Sequence, residues 1–412
     1  MKKLSIPYKW RLIILLWFAY FLNQGDRQVF NVVIPLIKED LKLTDVQIGL
    51  VATIFTLIYG ILVPFAGLAG DLLRRKWIVF YSLLVFSLGT LFTGVANGMI
   101  LLILFRSIAT GGGESFYYPA ATSLISQFHQ KTRAMALSIH QTSLYTGIVA
   151  SGFIAGYIGE HYGWRSAFYV FGGIGVIWSF VVLAMLKDSP PEQTDAGSVA
   201  LERPHFSEIL KAIFSKKTVY FLSLAFGAMV FVNVGYLTWM PTFLHEKFNL
   251  SLSSAGFSSM FYHHVFAFAG VMVGGKISDK FALKRKKIRM ETELIGLLLG
   301  APFIYLMAVS NTLTGCYAGL ALFGFFRGIY DSNLFAALFD VIEPRYRASS
   351  MGVMLAFAFT IGAFAPVVLG WIKTVSGLTQ GLSALSYFYL LGALLIFIAI
   401  KFFFKRDYYE EN

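Results

Sequence analysis

Twelve apolar stretches, each about as long as a bilayer is thick, follow one another through the sequence. They fall near 10–37, 46–70, 77–95, 98–125, 133–158, 166–186, 217–245, 252–275, 290–310, 312–338, 346–372 and 380–404. A spanning helix needs about 20 consecutive apolar residues, so these blocks predict a polytopic, all-α membrane protein rather than a soluble fold. Composition agrees. The 412 residues are 57% hydrophobic and only 14% charged, whereas soluble chains carry roughly a quarter charged residues. The single Cys316 excludes a disulfide scaffold, and no cysteine–histidine metal site can be assembled around it.

The chain carries a formal charge of +12, which raises nucleic acid as a partner until the basic residues are located. With both termini cytoplasmic, 26 of the 34 Lys and Arg residues fall in cytoplasmic segments, among them Arg74-Arg75-Lys76 and Lys284 to Lys287. Five fall in outer loops (Lys38, Lys42, Arg165, Lys247 and Lys373), and three lie inside helices (Arg27, Arg106 and Arg327). This is the positive-inside distribution; topology accounts for the charge, and nucleic acid is not expected. The first block runs into Asn23-Gln24-Gly25-Asp26-Arg27 without a small-residue cleavage site, so it reads as a retained helix.

Asp188-Ser189-Pro190-Pro191 and the polar residues after it interrupt the hydropathy, which reads as a linker. The expected organisation is a six-helix bundle over 1–188, a cytoplasmic linker over 189–216 and a second six-helix bundle over 217–412. Within the linker Phe206, Ile209, Leu210, Ile213 and Phe214 recur at helical spacing, as in a helix lying on the membrane surface. The two halves also echo each other. Gly67-Leu68-Ala69-Gly70-Asp71 precedes one basic run and Gly275-Lys276-Ile277-Ser278-Asp279 precedes the other, 208 residues later. Arg133-Ala134 before the fifth block is matched by Arg347-Ala348 before the eleventh. Internal repeats of this kind are how transporters build alternating access.

A charged residue at a helix centre costs roughly 2.5 to 3.5 kcal/mol on insertion scales and by default marks a substrate or ion path. Block one carries Asp26 and Arg27, and block four carries Arg106 and Glu114. Each brings one cation and one anion, so pairing across the bundle lowers the cost of all four; a static buried ion network is the structural alternative. Gly111-Gly112-Gly113 weakens the fourth helix just before Glu114. Tyr117 and Tyr118 lie beside Glu114 and are read as cavity-lining; His140 and Gln141 sit on the fifth helix, His263 and His264 on the eighth. Arg327 and Asp331 on the tenth are spaced for a local i,i+4 pair, with Asn333 close behind. Each histidine fits hydrogen-bonded packing as well as a proton relay.

With these residues in view, the chain resembles the major facilitator superfamily over nearly its whole length. The resemblance implies that the loop aspartates Asp71 and Asp279, with Arg74, Arg75 and Lys280, form a cytoplasmic gate; Leu72 stands where a basic residue is usual. Asn23-x-x-Asp26-Arg27, Arg106 with Gly113-Glu114, and Gly163-Trp164-Arg165-x-x-Phe168 resemble the anion:cation symporter branch, which implies symport of acidic sugars with protons. Gly113-Glu114-Ser115 also resembles the Spinster branch of lipid carriers. Gln24 replaces a usual Tyr, and Arg106 and Glu114 are eight residues apart where both branches have seven. One extra residue turns a side chain by about 100°, so either the glycines absorb it as a bulge or Glu114 faces elsewhere.

The resulting expectation is a monomeric, proton-coupled symporter of a small organic anion at a bacterial-type inner membrane, touching membrane lipid, with both termini cytoplasmic and no cofactor or metal. Arg27, Arg106, Tyr117, Tyr118, Gln141 and Asn333 are the expected substrate contacts, and Asp26 and Glu114 the proton carriers. A Spinster-like lysolipid carrier is the alternative. An intramembrane enzyme using His140, His263 or His264 is the reading from another class, and it lacks the ligand constellations of zinc enzymes. No Gly-x-x-x-x-Gly-Lys-Ser/Thr sequence is present to bind a nucleotide.

Overall fold

A computed structural model describes residues 7–187, 208, 215–282 and 284–409, without the side chains of 67, 68, 70–72, 134 and 348. The expected surface helix over 206–214 lies outside the described residues, and so does the Asp71 side chain. Every predicted block is helical. The helices are α1 (Tyr8–Leu41), α2 (Asp45–Leu72), α3 (Arg75–Thr93), α4 (Met99–Phe128), α5 (Arg133–Tyr162) and α6 (Trp164–Met185). They continue as α7 (Lys217–Phe248), α8 (Leu252–Ala282), α9 (Ile288–Val309), α10 (Leu313–Asp331, resuming as Leu334–Phe339), α11 (Arg347–Gly362 with Ala365–Ser376) and α12 (Leu378–Asp407).

Among the described residues eight of these are long and apolar enough on composition alone to cross a membrane. The exceptions, α1, α5, α8 and α10, carry many of the polar residues within the apolar blocks, Asn23 to Arg27, His140 and Gln141, His263 and His264, and Arg327 and Asp331; Arg106 and Glu114 lie on α4, which is among the eight. A helix with one face turned to a polar interior needs less apolar surface than one sheathed in lipid. Together the twelve helices make an all-α polytopic protein of two pseudo-symmetric six-helix bundles.

The chain divides into two compact units, Met1–Ser198 with Leu244–Phe257, and Val199–Phe243 with Ser258–Asn412. In the first, α1 packs along α5, α3 along α6, and α4 against both α2 and α3. The second repeats the scheme. There α9 lies along α12 and α10, Gly227 and Gly235 of α7 meet Ile361 and Leu369 of α11, and Gly324 and Gly328 of α10 meet α8. The turns repeat as well. Gly163 between α5 and α6 and Gly377 between α11 and α12 both adopt positive φ, at 83° and 93°, a conformation that favours glycine.

Local breaks have local causes. Thr44 and Gln47 form a capping box that opens α2, satisfying two backbone donors. The interruption of α11 before Ala365 precedes Pro366, whose ring cannot donate a backbone hydrogen bond and clashes with the preceding turn. At the other end of the second unit, Asp407 accepts hydrogen bonds from the Thr218 N–H at 2.8 Å and its hydroxyl at 2.9 Å. That contact ties the end of α12 to the start of α7.

The α8–α10 contact is backbone on backbone. A Cβ on Gly328 would stand 2.0 Å from the Ala267 carbonyl oxygen, and one on Gly324 2.1 Å from that of His263. Small residues permit such approach where no hydrophobic force holds helices together in lipid. Gly328→Val should therefore cost about 1–3 kcal/mol by overpacking and lower the thermal unfolding midpoint in detergent. Gly352→Ala, where a Cβ meets open space, should leave the midpoint unchanged or raise it; equal destabilisation by both would contradict the packing account.

Candidate functional site

The charged site of the first unit is built on α1 and α4. Asn23, Gln24 and Asp26 are buried on α1 and Arg106 and Glu114 on α4. Arg27 Nε donates to Glu114 Oε2. The Arg27 side chain keeps 23% of its surface exposed, whereas Glu114 keeps none, so the guanidinium is the reachable partner. The Arg27 guanidinium lies 4.2 Å from the Tyr59 ring centre, and that of Arg106 lies 4.0 Å from Phe55 and 5.3 Å from Phe30. Aromatic faces attract desolvated cations, and these rings take part of the place of a carboxylate for Arg106.

The expected four-way pairing is half made. Asp26 accepts instead from the Thr90 hydroxyl of α3 at 2.9 Å, and Arg106 Nη2 donates to the Arg27 carbonyl at 3.4 Å. Among the described residues, Asp26 Oδ1, Glu114 Oε1 and Arg106 Nε and Nη1 are buried without a hydrogen-bond partner. Buried polar atoms are nearly always satisfied. Four such atoms lie in one cluster, two of them N–H donors of one guanidinium.

The eight-residue spacing is resolved by the backbone. Ile103–Thr110 is wound as a π-helix, and the Thr110 hydroxyl returns to the Phe105 carbonyl five residues earlier at 3.0 Å. This wider winding takes up one residue more than an α-turn does, so Arg106 and Glu114 both address α1. The bulge precedes the glycines; Gly111–Gly113 themselves are regular α-helix, which corrects the expectation that they would carry it. Gly111 and Gly113 serve close approach, since a Cβ on Gly111 would stand 3.0 Å from the Phe55 ring and one on Gly113 2.7 Å from the Phe86 backbone nitrogen.

Other expected residues fall as follows. Tyr117 is wholly buried and its hydroxyl donates to the Leu16 carbonyl at 2.6 Å, which turns it to the bundle core rather than to a cavity. Tyr118 is exposed beside Tyr20, and Gln141 is half-buried on α5. His140 stacks on Tyr20 with ring centres 4.8 Å apart and meets the Tyr117 hydroxyl at 3.4 Å, as packing residues do. Gly163-Trp164-Arg165 forms a separate cluster between α5 and α6. Arg165 donates to Asp40, as does Trp164 Nε1 at 3.1 Å, and these hydrogen bonds hold the Asp40 carboxyl below the usual carboxylate range.

In the second unit Arg327 and Asp331 make the expected i,i+4 ion pair at 3.3 Å. Arg327 also donates to Asn233 Oδ1 of α7 at 2.6 Å, a partner with no local sequence signal. His263 is enclosed by Tyr236 and Phe323, and His264 donates from Nδ1 to the Met260 carbonyl at 2.9 Å. Asn333 is buried and donates to the Ser332 hydroxyl at 2.9 Å. Of the residues expected to form a gate, Arg74, Asp279 and Lys280 are exposed and Arg75 is partly so.

Two repeated bundles with charged residues on α1 and α4 match a known family. Residues 16–366 fit the Major Facilitator Superfamily. The chain belongs to that superfamily. Among its relatives, the hexuronate transporter of Bacillus subtilis is 27% identical over 399 residues, covering 94% of this chain and 92% of that protein. A probable L-galactonate transporter of Escherichia coli is 26% identical, covering 87% and 82%. In fold, a bacterial homolog of the human lysosomal transporter Spinster superposes with a TM-score of 0.87 over 99% of this chain and 100% of that one, at 22% identity. The protein is thus a major facilitator transporter, and the enzyme reading of its histidines gives way.

If the π-turn absorbs one residue, deleting Ala109 should convert it to α-helix and keep the unfolding midpoint within a few degrees. Deleting Ala120 from regular helix should misregister α4 and abolish folded protein. Loss of fold in both would contradict the assignment; size-exclusion profiles and thermal scans distinguish the outcomes.

Proposed function

We propose that this transporter carries a small organic anion, an acidic sugar of the hexuronate or aldonate kind, together with protons. The observation that carries the reading is the Arg27–Glu114 ion pair, with Arg106 beside it holding two buried, unsatisfied N–H groups. A guanidinium meets a carboxylate in a two-pronged geometry, so Arg106 and the accessible Arg27 are the anion's partners. Tyr118 and Gln141 are the further contacts we assign. The relatives named for hexuronate and L-galactonate support the substrate class. A Spinster-like lipid cargo rests on Gly113-Glu114-Ser115 and a likeness of fold, and the inward, paired arginines favour the anion.

Coupling follows from the pair. A buried carboxylate whose cation partner is withdrawn is strongly disfavoured as an ion. When the substrate carboxylate takes Arg27, Glu114 loses that partner and accepts a proton; Asp26, held through one oxygen by Thr90, is the second proton carrier. Such linkage is reciprocal. The gate is assigned to Asp71, Arg74 and Arg75 and to Asp279 and Lys280. The basic-residue distribution supports cytoplasmic termini and a cytoplasmic linker, with the protein acting as a monomer in a bacterial-type inner membrane.

A thermal-shift series of the purified protein against hexuronates, aldonates and lysolipids tests the substrate class, because a ligand bound to the native state raises its midpoint. A shift with lysolipids alone would overturn the proposal. Arg106→Lys should abolish the shift given by a carboxylate ligand, because an ammonium cannot reproduce the fork. Full binding by that variant would move the anion site.

Glu114→Gln mimics the protonated carboxyl. In proteoliposomes it should still exchange labelled substrate but fail to accumulate it against a gradient. Proton-driven accumulation surviving both Glu114→Gln and Asp26→Asn would eliminate the mechanism.

A further inference from the structure

Two glutamates stand two residues apart near the start of α9, in opposite surroundings. Glu291 is partly exposed and accepts from Arg285 Nη2 at 2.8 Å. Glu293 is wholly buried, and among the described residues neither of its carboxylate oxygens has a hydrogen-bond partner. The helix puts it there: Met290, Glu293, Gly296, Leu297 and Gly300 recur every three or four residues and are all buried, as on the face by which a helix meets its neighbours. At Gly296 that face touches the backbone of α10, where a Cβ would stand 2.8 Å from both the Phe326 carbonyl oxygen and the Tyr330 nitrogen. Glu293 is thus a lone carboxyl in a stripe of apolar and small residues.

The titratable groups that face it are Tyr330 of α10 and Asp340, just beyond the second stretch of α10; Tyr389 of α12 packs farther along the stripe, on Gly300. The cations of this region are engaged elsewhere. Arg289 donates to Asp340 Oδ1, Arg347 Nη2 of α11 donates to the Phe339 carbonyl at 3.1 Å, and Arg327 pairs with Asp331 and Asn233. A buried carboxylate with neither a cation nor a hydrogen bond is neutralised rather than kept as an ion, and a proton is the cation that does so without a further partner. Arg289 stands four residues before Glu293, the spacing that sets two side chains next to each other on a helix. Its guanidinium therefore has two carboxylates within its range, Asp340 across the helix gap and Glu293 one turn along.

We propose that Glu293 is a proton-binding site of the second unit, loaded while Arg289 is held by Asp340. When Arg289 leaves Asp340 it turns to Glu293; the carboxyl O–H bond breaks, the proton goes to solvent, and the carboxylate left behind pairs with the guanidinium. Reloading reverses each step: a proton from solvent re-forms the acid, and Arg289 returns to Asp340. The Arg289 side chain keeps 30% of its surface exposed and lies one turn, about 6 Å, from Glu293, so the exchange reaches solvent at that end of α9. One proton is bound as the end of α10 is fastened to α9 and released as it is freed. The site uses none of Asp26, Arg27, Arg106 or Glu114, so it stands or falls apart from the anion reading.

Infrared spectroscopy of the full chain in detergent reads the proton directly, because a buried carboxylic acid without a hydrogen bond absorbs high in the C=O stretching region and an ionised carboxylate does not. At neutral pH the parent should show that band, and heavy-isotope glutamate should shift it, which assigns it to a glutamate without any variant having to fold. Glu293→Gln, shaped like the protonated acid, should lose the band, whereas Glu114→Gln should keep it. Asp340→Asn should lose it with Glu293 intact, because Arg289 is then free to pair with Glu293; adding Arg289→Gln to Asp340→Asn should restore it. Folding retains a proton that the unfolded chain gives up, so the parent's unfolding midpoint should fall as pH rises above about 4.3, the value of an exposed glutamate, and Glu293→Gln should remove that part of the fall. A parent without a glutamic acid band, or with one that Glu293→Gln leaves unchanged, would overturn the site. A band that survives Asp340→Asn would overturn the exchange of Arg289.

Discussion

A guanidinium and a carboxylate at membrane depth hold each other in place, and much of the first bundle is arranged so that they meet. Leaving either of them alone in that environment costs about 3–5 kcal/mol, so Arg27 and Glu114 are tolerable only as a pair. The pairing needs α1 and α4 at close range and in one register. Glycine at 113 lets α4 close on α3 at Phe86, and the π-turn over Ile103–Thr110 rotates Glu114 onto α1 while Arg106 stays there. Phe55 and Tyr59 of α2 then cover the arginines from the other side. Geometry that would be an irregularity in a structural helix here brings two cations to one place.

The cluster is also left incomplete in a particular way. Thr90 satisfies one oxygen of Asp26, Arg27 one oxygen of Glu114, and the Arg27 carbonyl one nitrogen of Arg106. A static buried network would be expected to close its remaining bonds, since a half-satisfied one is costly. Here the open atoms are of both kinds, donors on Arg106 and acceptors on the carboxylates. That is the arrangement an anion and a proton can complete together.

Much of this was legible in the sequence. Block lengths predicted all twelve helices, because hydrocarbon demands about 20 apolar residues whatever the tertiary packing. The i,i+4 pair of Arg327 and Asp331 was also readable, since helical spacing alone brings the two together. The π-turn was signalled only as a spacing anomaly. Its place ahead of the glycines, over Ile103–Thr110, is something no residue count reveals. Thr90 and Asn233 were invisible as partners because each reaches its charge from a distant helix. Phe55 and Tyr59, one turn apart on α2, did share a face, and that aromatic pair was the signal that passed unread. Tyr117 failed as a cavity residue because three residues of helix turn it about 60° away from Glu114, toward the Leu16 carbonyl.

Direct proton counting puts the central claim to its hardest test. Purified protein in weakly buffered detergent solution is mixed with a hexuronate near neutral pH, and the pH change is followed with an indicator dye. If the substrate carboxylate takes Arg27 from Glu114, binding draws protons from solution, about one for each anion that displaces the carboxylate. Saturable binding with no proton uptake, or with proton release, would contradict the linkage between the ion pair and transport.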